Sequence, residues 1–226
     1  MSYNDTFLNK KKDLNTKNYF NIQQKMIQKN NINKIHEALF NRAGKVFNKV
    51  EVNSLIKEYN KKFHTKVDIE NTVKYLSRHD YIKRIFLGYY YVNSLEERKR
   101  RYCKYEDKEL LFTILNKSNI KWYLGLSSAL YESGESWQFP VIISIINDKI
   151  SGKRNILSLN VRFYKIKHDL FFGIQRGKTK NKIEYFYSNP SKTYLDFVYL
   201  RRSDKLIKNK ETKKYLKYFP KWVEKK

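Results

Sequence analysis

Residues 68–92, DIENTVKYLSRHDYIKRIFLGYYYV, indicate an amphipathic helix that runs directly into a β-hairpin. Asp68 is a favourable helix N-cap, because its carboxylate can accept hydrogen bonds from the first free backbone N–H groups of a helix. Ile69, Val73 and Leu76 then recur at the spacing of one helical face. The first half of this stretch therefore predicts a helix that buries one stripe and exposes the opposite one.

The second half of the stretch changes from a helical period to a period of two. Residues 81–86 and 89–92 have the composition and alternation of strands, and Leu87-Gly88 between them supplies a turn. The sequence therefore predicts a two-stranded hairpin immediately after the helix.

Two further helices are predicted upstream of residue 68. Apolar residues recur at helical spacing in two groups, which are Ile32, Ile35, Leu39 and Phe40, and then Val52, Leu55, Ile56 and Tyr59. Gly44 supplies a C-terminal cap for the first of these helices. Three short helices followed by a hairpin are the arrangement of a winged helix-turn-helix domain. We therefore predict such a domain over residues 31–96.

The rest of the chain divides into an arm, a linker and a second domain. We expect residues 1–30 to form a basic N-terminal arm with a short helix, and residues 97–104 to form a basic linker. Residues 105–226 show helical patterns at both ends and strand-like runs between them, which is typical of an α+β domain. The predicted fold class is therefore α+β, with an N-terminal winged helix-turn-helix domain joined to a mixed α/β C-terminal domain.

The charge of the chain is extreme for its length of 226 residues. Lys and Arg number 48 against 22 Asp and Glu, which gives a formal net charge of +26. Nucleic acid is therefore the first partner to consider, and an anionic membrane surface is the second. The richness in Lys, Asn, Ile and Tyr is also typical of an AT-rich genome. Two interpretations stay open: both regions lie along one duplex, or part of the charge reflects nucleotide bias.

The sequence also indicates where the protein resides. No apolar run approaches the roughly 20 residues of a membrane-spanning helix, and the first residues lack the apolar core of a secretory signal. A single cysteine, Cys103, excludes an intramolecular disulfide and fits a reducing compartment. We therefore expect a cytoplasmic protein with no membrane partner.

Double-stranded DNA is the partner that the predicted third helix favours. If one stripe of that helix is buried, its other face offers an amide and cations to the major groove, where Asn pairs with adenine and Arg with guanine. The predicted DNA-binding residues lie on this helix, in the turn before it, on the wing and in the linker: Asn71, Lys74, Tyr75 and Arg78; His64, Thr65 and Lys66; Lys83 and Arg84; Arg98, Lys99, Arg100 and Arg101. The alternative interpretation is an ordinary solvated surface, since Lys and Arg are mostly exposed in any protein.

No pattern in the sequence is typical of catalysis, so we expect neither an enzyme nor a bound metal or cofactor. Ser151-Gly152-Lys153 resembles a fragment of a phosphate loop, but Asn147 replaces the upstream glycine and Arg154 replaces the Ser or Thr. The carboxylates form no cluster suited to a divalent metal, and the four histidines lack ligand spacing. The alternative functions are a nuclease that a winged module brings to DNA, and a protein-interaction module whose charge is incidental.

Three stretches resemble the AbiEi-type family, the antitoxin and transcriptional-regulator half of type IV toxin–antitoxin pairs. Residues 81–92 are similar to the family's wing, residues 123–134 to its Ser-Ala-Leu helix that ends in glycine, and residues 189–200 to its late Pro-Glu-Lys-Ala-Leu-Leu-Asp helix. The likeness covers about residues 32–205. The sequence departs from the family pattern at Ser191, where Glu is usual, and at Glu135, where an apolar residue is usual.

The resemblance implies a winged helix-turn-helix domain followed by an α/β domain. It further implies a repressor of its own operon, with a nucleotidyltransferase toxin encoded nearby as its functional partner. Composition and periodicity by themselves indicate a basic winged module joined to a basic α+β domain.

Overall fold

The computed structural model describes Ile35, Leu39 and residues 41–64, 66–202 and 210–225. The predicted basic arm, residues 1–30, lies outside the described residues. The chain forms two compact units, with the division after Lys104. Ile85–Leu87 is the exception, because it belongs to the second unit although its neighbours belong to the first. Helices and two sheets share the chain, so the predicted α+β class is confirmed.

Two helices dominate the first unit: α1 (Lys49–Lys62) and α2 (Ile69–Arg78). Each begins where the sequence provides a cap. The side chain of Asn48 accepts a hydrogen bond from the Glu51 backbone N–H at 2.8 Å, and Asp68 does the same for Asn71 at 2.7 Å. Their inner faces share one core, which also contains two buried helical residues from further upstream, Ile35 and Leu39.

A three-stranded antiparallel sheet completes this unit. It consists of β1 (Val46–Asn48), β2 (Ile82–Arg84) and β3 (Tyr89–Val92), with β3 in the centre. The hairpin of β2 and β3 lies where the sequence indicates it. The outer strand β1 was not predicted, because three residues are too few to show a period.

Helix α3 (Leu95–Arg100) occupies the first half of the segment predicted as a basic linker. It begins with a capping box, in which the Ser94 hydroxyl accepts from the Glu97 N–H and the Glu97 carboxylate accepts from the Ser94 N–H. It ends at Arg101, which has a left-handed conformation. The segment is therefore an ordered part of the first unit.

The second unit is built around a mixed six-stranded sheet with strand order β6-β7-β5-β4-β9-β8. Its strands are β4 (Trp122–Leu124), β5 (Ile143–Asn147), β6 (Gly152–Ile156), β7 (Leu159–Lys165), β8 (Ile174–Lys178) and β9 (Glu184–Ser188). The pairs β5–β7 and β4–β9 are parallel, and the remaining pairs are antiparallel. The edge strands carry cations, which are Lys153 and Arg154 on β6 and Arg176 and Lys178 on β8.

Among the described residues of the second unit, five helices and a short 3₁₀ turn accompany this sheet. They are α4 (Asp107–Lys117), α5 (Leu126–Glu132), the 3₁₀ turn His168–Leu170, α6 (Pro190–Tyr199), α7 (Lys210–Leu216) and α8 (Lys221–Glu224). The two faces of the sheet bury separate cores, and strand β4 contributes to both. Its Trp122 and Leu124 lie in one core with Phe112, while Tyr123 lies in the other with Leu195. This alternation is the period-two geometry of a strand.

Two strands differ from the prediction. The strand-like run over residues 170–175 predicts a strand there, but the structure has the 3₁₀ turn up to Leu170 and strand β8 only from Ile174 onward. Strand β6 was not predicted, because its first four residues are exposed and polar and show no apolar alternation. Within the described part of the chain, no helix combines the length and the apolar character needed to cross a bilayer.

Candidate nucleic-acid interface

The outward face of helix α2 carries an amide and two cations. Asn71, Lys74 and Arg78 are exposed and lie three and four residues apart, so they form one stripe. Thr72 and Leu76 on the opposite face are buried. Helix α2 therefore has one buried face and one exposed face, as predicted.

An acidic neighbour accompanies one of these cations. Lys74 Nζ lies 2.9 Å from Glu70 Oε1, one turn earlier on the helix, and the two side chains are 66% and 78% exposed. Water screens such a pair, so it contributes little to stability. Lys74 can therefore exchange Glu70 for a stronger anion at little cost.

The turn between α1 and α2 is fixed by one amide side chain. Asn60 donates from Nδ2 to the Val67 carbonyl at 2.9 Å and accepts at Oδ1 from the Val67 N–H at 3.1 Å. These paired bonds satisfy both backbone groups of Val67 and hold the start of α2 against α1. The exposed stripe of α2 is thereby held in a defined orientation relative to α1.

The residues before and within α2 differ in how much of their side chains is exposed to a ligand. His64 and Lys66 are exposed, and His64 adopts a left-handed φ of 49°. Thr65, also predicted to contact DNA, lies outside the described residues. Tyr75 is partly buried, packs against the core and lies with its ring 4.2 Å from that of His79. Only part of the Tyr75 side chain is therefore accessible to a ligand.

Three of the predicted cations lie around one cleft. Lys83 from β2, Arg98 from α3 and Arg101 from its C-terminus line a cavity of about 510 Å³ within the first unit. Two carboxylates, Asp80 and Glu97, are also in its wall. The structure thus brings together residues that the sequence placed on a wing and on a linker.

The Arg98 guanidinium is held by an aromatic ring. It lies 3.6 Å from the centroid of the Tyr81 ring, which is a cation–π contact. Its Nε is buried and has no hydrogen-bond partner within the structure. A buried donor of this kind is stabilised when an anion or a water supplies an acceptor.

Glu97 has a structural role in the wall of this cleft. Its carboxylate accepts hydrogen bonds from the Tyr91 hydroxyl at 2.7 Å, the Lys104 N–H at 2.8 Å and the Ser94 N–H at 2.7 Å. Burial opposes ionisation, but these hydrogen bonds outweigh it and lower the pKa of Glu97 below its ordinary value. The Glu97 carboxylate is therefore engaged by its own surroundings, and the three cations of the cleft outnumber its two carboxylates.

The remaining predicted residues are distributed around the same unit. Arg84, Lys99 and Arg100 are exposed, and Arg100 pairs with Glu96 at 3.4 Å. The tip of the hairpin is apolar and belongs to the second unit, where Phe86 stacks on Phe163 at 5.4 Å. The positive charge of the hairpin therefore comes from Lys83 and Arg84 in β2.

The structure describes two residues whose importance the sequence interpretation missed. Glu97 follows Ser94 by three positions, and this Ser-x-x-Glu spacing is a sequence signature of a capping box. Asn60 gives no such signal, because its partner Val67 is seven residues away and across a turn. The phosphate-loop fragment, by contrast, lies mostly in strand β6 rather than in a loop before a helix. Among the described residues, no three His, Cys, Asp or Glu are grouped in a way that could hold a metal ion.

A buried ion pair lies in the second unit, where residues 123–134 and 189–200 meet. Lys192 Nζ contacts Asp196 Oδ1, and both are hydrogen-bonded to the Tyr123 hydroxyl, at 2.9 and 3.0 Å. Burial lowers the pKa of Lys192 and raises the pKa of Asp196, and the pairing opposes both shifts. All three side chains are fully buried, so the cluster has no access for a ligand.

Comparison with known proteins identifies no relative: the chain matches no protein-family model, and no curated protein is similar to it in sequence. The function is therefore inferred from the stripe of α2 and the cleft beside α3.

Proposed function

We propose that the protein is a double-stranded DNA-binding transcriptional regulator whose first unit is a winged helix-turn-helix. Helix α2 is the recognition helix in this proposal, and the hairpin of β2 and β3 is the wing. The supporting observation is the stripe of Asn71, Lys74 and Arg78, which is exposed on a helix whose opposite face is buried. A helix of this kind can enter the major groove of B-form DNA.

Each side chain of the stripe has a distinct chemical role in this proposal. Arg78 donates two parallel hydrogen bonds to O6 and N7 of guanine, and Asn71 pairs with N6 and N7 of adenine. Lys74 leaves Glu70 for a phosphate oxygen, because its present pair is solvent-screened. The Asn60 contacts that fix the preceding turn support the proposal, since base reading requires a helix held in one orientation.

The cleft beside α3 provides a phosphate contact. Lys83, Arg98 and Arg101 line it. Their positive charges would favour a phosphate oxygen in the cleft. In this proposal the cleft positions the protein on the duplex and α2 reads the bases.

The resemblance to the AbiEi-type family extends the proposal to a biological role. We propose an antitoxin that represses its own operon, with a nucleotidyltransferase toxin encoded nearby as its functional partner. The three stretches that carry the resemblance, residues 81–92, 123–134 and 189–200, support this role. A reporter gene under the promoter upstream of the protein's own gene is expected to be repressed when the protein is supplied in trans.

Fluorescence anisotropy with two labelled duplexes tests DNA recognition directly. One duplex carries the region upstream of the protein's own gene, and the other is a random duplex of equal length. We expect the upstream duplex to bind at least about 1,000-fold more tightly, the lower end of specific recognition. The variant Asn71→Ala/Arg78→Ala should remove most of this difference, while Lys57→Ala, an exposed lysine on α1, should retain it. Equal affinity of the unaltered protein for both duplexes would reject sequence-specific regulation.

A further inference from the structure

The six-stranded sheet of the second unit contains a notch. Strand β4 pairs with β5 along its whole length, from Trp122 to Leu124, but its register with β9 is a single pair, Leu124 with Tyr187. The ladder between β4 and β9 therefore does not extend to Trp122, at the N-terminal end of β4. A cavity of about 520 Å³ opens there, and Trp122 and Phe186 are both in its wall.

The wall of the notch is largely apolar and aromatic. Ile120, Phe171 and Ile174 line it together with Trp122 and Phe186. The Trp122 and Phe186 rings meet edge to face with centroids 5.9 Å apart, a preferred geometry for aromatic pairs. A flat apolar molecule would therefore be in contact with side chains that already pack against one another.

One amide holds this wall in place. Asn116 Oδ1 accepts from the Trp122 indole at 3.1 Å, and Asn116 Nδ2 donates to the Glu184 carbonyl at 2.7 Å. The side chain thereby joins the end of α4 to both strands that flank the notch. The cavity is formed before any ligand arrives, so binding has little ordering to overcome.

Two cationic side chains, Lys121 and Arg176, line the notch. The described residues that line it include no carboxylate. Lys121 is exposed, and its Nζ lies 2.5 Å from His168 Nε2. Arg176 has Glu184 as its ion-pair partner at 3.5 Å, with the two side chains 64% and 41% exposed, so the pair is weak. Both cations can therefore accept an anionic group from a ligand.

We propose that this notch binds a small organic anion with a flat aromatic body. The aromatic part lies against Trp122 and Phe186, and the anionic group lies between Lys121 and Arg176. The volume is in the range of small-molecule sites, which combine an apolar lining with a few placed polar groups. The proposal uses residues of the second unit alone and does not depend on DNA binding.

Protein NMR with 2-naphthoate as the probe tests this site. The chain has three tryptophans, so the indole N–H region of a ¹⁵N spectrum contains three signals that Trp→Phe variants assign. We expect naphthoate to shift the Trp122 signal in a saturable way and to leave Trp137, which is 93% exposed, unchanged. The neutral analogue 2-naphthalenemethanol should bind about tenfold more weakly.

Two variants separate a built site from general attraction to a basic protein. Arg176→Gln should weaken naphthoate binding about tenfold, whereas Lys153→Gln, on the opposite edge strand β6, should leave it unchanged. Both positions are exposed, and unaltered melting temperatures would confirm that the variants are folded. An unmoved Trp122 signal, equal affinity for the acid and the alcohol, or equal effects of the two substitutions would each overturn the proposal.

Discussion

Lys192 and Asp196 form an ion pair that is completely enclosed within the second unit. The Tyr123 hydroxyl joins both partners. The rings of Tyr123, Phe172 and Phe219 surround the lysine ammonium at 5.2–5.3 Å from their centroids. The pairing and the cation–π contacts together offset the cost of removing the ammonium from water.

Replacing one partner of this pair should strongly destabilise the protein. Lys192→Met leaves the Asp196 carboxyl buried without its counter-charge, which typically costs about 3–5 kcal/mol. Urea unfolding followed by circular dichroism measures the free energy of unfolding. The triple variant Tyr123→Phe/Lys192→Met/Asp196→Leu, which removes every polar group of the cluster, should regain most of the loss. A triple variant as unstable as the single one would show that packing, rather than the uncompensated charge, is responsible.

Arg78 on helix α2 should carry sequence discrimination. Arg78→Ala is expected to weaken binding to the upstream duplex by about 1–3 kcal/mol and to reduce the preference for it over operator variants. Competition binding against single-base variants of the operator measures both effects. If the affinity ratios among those variants stay the same, Arg78 does not read a base.

Arg101 should contribute to affinity without contributing to discrimination. If it contacts one phosphate from the cleft, Arg101→Gln should reduce the steepness of log affinity against log salt by about 0.9, and all duplexes should be affected alike. Titrations at four salt concentrations give the slope. Lys57→Ala on α1 is the matched control, and a slope that Arg101→Gln leaves unaltered would place Arg101 away from the DNA backbone.

The Glu97 carboxylate should make stability depend on pH. Its pKa is lower in the folded protein than its ordinary value of 4.5, so the unfolded chain binds more protons as the pH falls. The stabilisation is therefore complete above about pH 5 and is lost as the pH falls through the folded-state pKa. Glu97→Gln should lower the free energy of unfolding by about 1–3 kcal/mol at pH 7, because hydrogen bonds to a carboxylate ion become hydrogen bonds to a neutral amide.

Urea unfolding at several pH values distinguishes this effect from a simple packing defect. The free energies of the unaltered protein and of Glu97→Gln should converge as the pH falls below 4.5. Glu51→Gln, at an exposed capping position on α1, is the control for a general change in charge. A gap that stays constant with pH would contradict the ionic role of Glu97.

Local sequence signals predicted the elements whose faces are amphipathic. Helix α2 begins after its Asp68 cap, as the sequence indicates, and its last residue is Arg78. Strand β1 has three residues and depends on its pairing with β3, and strand β6 is exposed along most of its length. Neither has a period of its own, because long-range pairing rather than local composition determines both.

The candidate site shows the same limit of sequence reasoning. Asn71, Lys74 and Arg78 could be assigned to one face from their spacing, since a helix fixes the relation of residues three and four apart. The meeting of Lys83 with Arg98 and Arg101 around one cleft depends on how α3 folds back beside β2. The sequence predicted the cations of the linker, but it did not predict that a helix would orient them.

Both open margins of the larger sheet present lysine and arginine, on β6 and β8. A neighbouring molecule that tried to extend the sheet would bring like charges into register, and the resulting repulsion would prevent lateral growth. We therefore expect these side chains to oppose edge-to-edge association of the sheet. Converting Lys153 and Arg154 together to threonine would remove that repulsion at the β6 margin, and we expect edge-to-edge association to become favourable there.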